Sequence, residues 1–177
     1  MRAGGGKQKG AGFERLVCKH LSLWITSGAK EDCFWRSAMS GGRGTLLNRK
    51  GKAAGNSAGD ITATGEEGHA LTDNFFIECK AYRTLSVDSF VLKNSGALWK
   101  FWATATSEAL KHGKAPMLIA KQNGVDPFVL ARDRDIVKFF DMGTTFPFLS
   151  LGPAHVSLWW FKSLFPLPRN KPTTRKK

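Results

Sequence analysis

Residues 58–81 read AGDITATGEEGHALTDNFFIECKA, and the reading of this stretch decides the fold. Asp60 opens a β-branched run of Ile61, Thr62 and Thr64. Gly65 and Gly68 interrupt it, and a second run follows from Phe75 to Ala81. Two extended runs separated by glycines predict a β-hairpin. In the second run Glu78 and Lys80 are two residues apart and share one face, with Ile77 and Cys79 on the other. A hairpin roughly symmetric about His69 sets Asp60 opposite Glu78. The spacing then collects two carboxylates and an ammonium at one spot. Two carboxylates at close range repel unless a cation lies between them, and hard cations such as Mg²⁺ prefer oxygen ligands.

Upstream, residues 13–26 carry Phe13, Leu16, Val17, His20, Leu21 and Trp24 at helical spacing, which predicts an amphipathic helix ending near Gly28. Glu14 sits at the border of the apolar stripe. By position alone it is either a first-turn glutamate favoured by the helix dipole or a group turned toward the acidic spot.

Glu14 on a helix, Gly59-Asp60 on a strand and Glu78-Cys79-Lys80 on the next form an ordered set. The set resembles the PD-(D/E)XK nuclease motif, and the likeness runs roughly over residues 12–129. Within that superfamily the chain is similar to the small Holliday-junction-resolvase-like nucleases, including those carried by bacteriophages. Gly59 stands where the motif usually has proline, a residue that is not itself a ligand. The resemblance implies an α/β fold with a restriction-endonuclease-like core, a mixed β-sheet flanked by helices. It also implies a Mg²⁺ ion, replaceable by Mn²⁺, held by Asp60, Glu78 and the backbone carbonyl of Cys79. Glu14 would serve a second ion through water. Lys80 would orient the attacking water or neutralise charge near the scissile phosphate; a structural ion pair with its acidic neighbours is the other reading of that lysine.

The 177 residues carry 27 basic and 14 acidic side chains, a formal net charge of +13. That balance predicts a polyanionic partner, and nucleic acid fits it best. Residues 1–12 contribute +3 and residues 166–177 contribute +5, with no acid in either, leaving +5 for the body. These ends read as flexible basic tails around a nuclease domain at residues 13–165, and such tails add affinity for phosphates without reading sequence. Residues 33–59 read as a long Gly-, Ser- and Arg-rich connection with Arg36, Arg43, Arg49, Lys50 and Lys52. Loops of this length are unusual in compact domains unless they are functional or unstructured, so this one is read as a DNA-contacting loop that meets phosphates at the mouth of the site, with a flexible solvated loop as the other reading.

The remaining chain completes an α/β pattern. Residues 95–112 predict a second amphipathic helix with Leu98, Trp102, Ala105 and Ala109 on its buried line. Its aromatics Trp99, Phe101 and Trp102 are read as core packing, with base stacking as the alternative. Residues 115–122 and 127–131 predict two strands joined at Asn123-Gly124, and strand–helix–strand is the pattern of a crossover unit. Gln122 ends the first of these strands, as a plain strand-end residue or as one assisting the site. Asp133 or Asp135 caps a short helix, and the aromatic segment from Phe146 to Phe165 either closes the core or forms a subunit interface.

Three cysteines without zinc spacing, Cys18, Cys33 and Cys79, predict a reducing compartment, the cytoplasm of a bacterial or phage-infected cell. There is no apolar run of membrane-spanning length, signal-peptide core, Walker-type loop, CxxC pair or Gly-x-Ser-x-Gly elbow. The expectation is therefore a Mg²⁺-dependent endodeoxyribonuclease acting on branched DNA as a homodimer. A restriction-type duplex endonuclease and a non-catalytic nucleic-acid-binding protein are the alternatives, the latter leaving the clustered acids unexplained.

Overall fold

The computed structural model describes residues 5–37, 58–140, 149–151 and 156–168. Helix α1 spans Gly5–Ile25. It starts before the residue that apolar periodicity marks, because residues 5–12 hold too few apolar side chains to show a period. Val17 and Leu21 are fully buried on its inner line. Gly28, at φ +91, donates its N–H back to the Leu23 carbonyl and closes the helix.

Strands β1 (Phe34–Arg36) and β2 (Ile61–Ala63) pair antiparallel, with Trp35 opposite Thr62. Helix α2 (Glu66–Asn74) follows, then strand β3 (Phe75–Tyr82). The predicted hairpin is thus corrected: β2 pairs with β1, not with β3, and His69 lies in a helix rather than at a turn. The local reason is legible. Glu66 and Glu67 occupy the first turn of α2, where the helix dipole favours acids, and Gly68, Leu71 and Thr72 form its buried line. Gly68 is not a turn residue. A Cβ there would lie 2.8 Å from the Cys33 carbonyl oxygen and 3.0 Å from the Phe34 ring, so the glycine lets α2 seat directly on the β1–β2 ribbon. The connection read over residues 33–59 likewise contains β1, which a three-residue strand was too short to announce.

After β3 the chain forms α3 (Val87–Lys93), α4 (Gly96–Lys111), β4 (Ala115–Gln122), β5 (Phe128–Arg132) and α5 (Asp133–Phe139). It ends in β6 (Leu149–Leu151), β7 (Val156–Trp160) and the short α6 (Phe161–Leu164). The main sheet has the order β3-β4-β5-β7-β6. Strands β3 and β4 run parallel, joined by the α3–α4 crossover, and the other pairs are antiparallel. This is the expected α/β fold: a mixed sheet flanked by helices, consistent with a restriction-endonuclease-like core.

Alternation along the strands sorts the core into two layers. Ile77, Cys79, Met117 and Ile119 face α1, α2 and the β1–β2 ribbon. Leu118, Ala120, Phe128 and Leu130 face Phe90 of α3 and Leu98 and Trp102 of α4. The aromatic C-terminal segment closes the first layer, with Trp159, Phe161 and Phe165 buried beside α1. His20 is a packed helix residue, its Nε2 lying 2.8 Å from the Phe165 carbonyl oxygen. Among the described residues no helix is long and apolar enough to cross a membrane.

Candidate active site

Strand β3 is an edge strand, and the edge away from β4 receives the chain at Gly59 and Asp60. Gly59 forms a parallel bridge with Ile77. It adopts φ +93, and a Cβ on it would stand 2.6 Å from the Ile77 carbonyl oxygen. Only glycine fits so close an approach, and proline, locked near φ −65°, is excluded. The motif's proline is absent because this backbone has no room for it.

Asp60 is fastened on three sides. Its N–H donates to the Ile77 carbonyl at 2.8 Å, and its carbonyl accepts the Ser37 N–H at 2.8 Å. Its side-chain Oδ2 accepts the Cys79 N–H at 2.9 Å. The Asp60 carboxylate therefore lies in line with the sheet, against the middle of β3. Glu78 and Lys80 project from β3 on the α4 side, where Leu118 and Ala120 are their register partners on β4. The Lys80 ammonium is bonded to Glu78 Oε1 and lies 5.7 Å from the centroid of the Phe101 ring. Glu14 comes from α1, on the opposite side of the sheet, and its Oε2 accepts the Arg36 Nε–H.

Electrostatics follow this arrangement. Burial, and then the negative charge of Glu78, push the Asp60 carboxyl up to about 7, against the Cys79 N–H and Lys80, which favour its charged form. Burial works against the charge on Lys80, but the charge and hydrogen bond of Glu78 outweigh it and hold that ammonium above its ordinary range. The cysteines are free and buried. Burial and the nearby Glu14 push the Cys18 thiol up to about 12, and burial raises Cys79 as well, so both are neutral packing groups.

The chain thus brings together Asp60, Glu78, Cys79 and Lys80 at one edge, with Glu14 reaching toward it through α1. The hairpin is absent, yet the juxtaposition it implied is present. The donor set suits a hard cation. N–H and C=O of one strand residue face the same edge, so the Cys79 carbonyl is directed to the Asp60 side, adding a third oxygen to the two carboxylates. Among the described residues no three carboxylate, imidazole or thiol side chains converge as a ready cage. A Mg²⁺ ion held by one or two carboxylates and completed by water needs no such cage.

Of the residues read as DNA-contacting, Arg43, Arg49, Lys50 and Lys52 lie outside the described residues. Arg36 is described, half-buried in its pair with Glu14. Gln122 accepts the Leu85 N–H at 2.9 Å through its side-chain Oε1, which ties the start of the crossover to the end of β4. Sequence reading missed the Ser37 and Cys79 backbone donors that fix Asp60, since no side chain reports them. It also missed Phe101 as the neighbour of Lys80, which only the packing of α4 reveals.

Comparison with known proteins gives a family for the chain. The family model described as "Phage putative PDDEXK endonuclease" matches residues 5–146, the greater part of the chain. No curated protein and no solved structure matches it. The helix, the strand-edge aspartate and the Glu-x-Lys strand all fall inside the matched range, and the chain belongs to this family of phage PD-(D/E)XK endonucleases.

Proposed function

We propose that this nuclease is a metal-dependent endodeoxyribonuclease whose active site is Asp60, Glu78 and Lys80, with Glu14 in support. The observation that carries the reading is the buried Asp60 carboxyl, locked against β3 beside Glu78. Placing two acids there costs stability, and a cation at that edge offsets the cost. Asp60, Glu78 and the Cys79 carbonyl are the groups that would hold Mg²⁺ or Mn²⁺. The ion, when bound, acidifies a water and relieves charge on the phosphate.

The chain's own residues supply the rest. Cys79 N–H and the Ile77 carbonyl orient Asp60 before substrate arrives, so no ordering is needed at the moment of reaction. Lys80 is kept charged, and its Nζ is positioned to neutralise the phosphate or to direct a water held at the carboxylates. Arg36 keeps Glu14 extended toward the site and balances its charge. The substrate we propose is branched DNA, a four-way junction above all, cut by a homodimer. Two symmetric cuts need two sites, and two-fold symmetry is the simplest way to supply them. This part rests on the likeness to junction-resolving nucleases.

The test is incubation with labelled linear duplex, flap and four-way-junction DNA in Mg²⁺, Mn²⁺ or EDTA, resolved on a denaturing gel. Cleavage in both metals, none in EDTA and preference for the junction are expected. Asp60→Asn and Glu78→Gln should abolish cutting while DNA binding persists. Full cutting by either variant refutes the site. Equal cutting of linear and branched DNA, or a strict monomer in sedimentation, refutes the substrate and dimer while leaving the nuclease in place.

A further inference from the structure

A cavity of about 320 Å³ opens on the α1 side of the sheet, where the parallel strands β3 and β4 end. Phe13 and Leu16 of α1 form its apolar wall, and Tyr82, Arg83, Lys121 and Asn123 its rim. It shares its elements with the candidate site: Phe13 precedes Glu14 on α1, and Ala81, paired with Lys121 across the two strands, follows Lys80 on β3. Crevices at the carboxyl ends of parallel strands are the usual ligand positions in α/β sheets.

Two features point to what it takes. Arg83 is exposed and Lys121 half-buried, both line the cavity, and among the described residues neither takes part in an ion pair. A half-buried ammonium without a counter-charge is costly, and an anion offsets the cost. Leu16 is 47% exposed and Tyr82 46%, so large apolar surface borders the two cations. Cations beside an apolar wall match a nucleotide, with its phosphate on the charges and its sugar and base on the wall. At about 320 Å³ the space is on the scale of a single nucleotide.

We infer that this cavity is a nucleotide subsite in which Arg83 and Lys121 hold a non-scissile phosphate of the strand being cut. At roughly 3.3 Å per strand residue, Arg83 lies about 10 Å beyond Lys80, one or two nucleotides from the scissile linkage. The subsite rests on the nuclease reading above and deepens it. It fixes the strand's register on the catalytic edge and favours DNA in which that nucleotide is free to leave its stack, as at a branch or a frayed end.

The test uses the full chain and duplex DNA with a short single-stranded end, carrying one neutral methylphosphonate at each linkage in turn. Equilibrium binding is measured without Mg²⁺, so no cutting intervenes. At one linkage neutralisation should cost the native chain roughly tenfold in affinity, and cost the Arg83→Gln/Lys121→Gln chain nothing further. The log–log salt slope of that variant should fall by about one unit. Arg83→Lys/Lys121→Arg should restore both. If the double variant does not fold, Arg83→Gln alone, at an exposed position, carries the same comparison. Identical methylphosphonate profiles in native and variant chains overturn the subsite. Asp60→Asn is assayed for cleavage in parallel: its survival as an active enzyme would refute the catalytic reading, a result separable from the binding profile.

Discussion

At the scale of single residues, the site depends on Gly59 as much as on the carboxylates. Its φ of +93 and the 2.6 Å approach to the Ile77 oxygen leave no room for a side chain. An alanine there must lift the segment off β3 and break the hydrogen bonds that Asp60 makes to Ile77 and Cys79. Gly59→Ala should lose about 1–3 kcal/mol of stability and most of its cleavage, although every candidate ligand is still present. Thermal melting and a cleavage assay check this, and native activity in the variant would show that the close approach does not set Asp60. Asp60 itself makes a second prediction. Its carboxyl is raised from 3.8 to about 7 on folding, so the folded state binds the extra proton between those values. Stability from this group therefore falls as pH rises from about 4 through 7 and is flat above. An asparagine carboxamide does not titrate in this range, so Asp60→Asn should melt higher than the native chain at pH 8, with the difference closing toward pH 4. Equal gains at both pH values would mean that the substitution acts through packing rather than through the buried charge. The candidate residues of this site could be picked out in the sequence because carboxylates and lysine at fixed offsets have a chemical meaning of their own. What aligns them was not, because it consists of backbone donors and of a missing Cβ.

At the scale of elements, residues 65–74 show how local and tertiary signals part. Two glycines between extended runs favour a turn on local grounds, but Gly68 is there for tertiary reasons. It allows α2 to rest on Cys33, Phe34 and Ala63. Secondary-structure propensity and packing then pull in opposite directions at this position. In an isolated helix Gly→Ala gains about 1 kcal/mol. Here the added methyl meets a backbone carbonyl at 2.8 Å, which cannot move without shifting β1. We expect Gly68→Ala to destabilise by about 1–3 kcal/mol in urea unfolding, and a net stabilisation would show that the ribbon yields. The other long elements, α1, α4, β4 and β5, were legible because a full apolar period or an unbroken apolar run marks each. Of the two three-residue strands, β2 was marked by its β-branched run and only its partner was misread, whereas β1 carries no period and gains its order from its neighbours: the Phe34 N–H is held by Ser22 Oγ of α1 at 3.0 Å.

At the scale of the whole molecule, the family range and the folded unit do not coincide. The family match ends at residue 146, yet β7 and α6 lie beyond it and put Trp159, Phe161, Leu164 and Phe165 into the same core layer as α1. The Phe165 carbonyl also meets the His20 ring nitrogen, and the Phe165 N–H bonds the Phe161 carbonyl at 3.0 Å. Pro168 still touches the fold, since its side chain lies 3.3 Å from the place of a Cβ on Gly28. Residues 169–177 carry Arg169, Lys171, Arg175, Lys176 and Lys177 and no acid. Truncation therefore has two separate effects, depending on where it falls. A chain ending at residue 146 loses these four buried apolar side chains. At about 2–5 kcal/mol for each large one, the loss is as large as the whole stability of a typical domain, and such a chain should not fold. A chain ending at Pro168 keeps every described core residue and should still unfold as a folded domain in thermal melting. Its affinity for DNA should fall about equally for every sequence and shape, because the lost charges read phosphates alone. If about three of the lost charges contact phosphates, the log–log salt slope drops by roughly 2–3 units. An unchanged slope would place the excess positive charge elsewhere, on the body of the chain and the edge where β3 and β4 end.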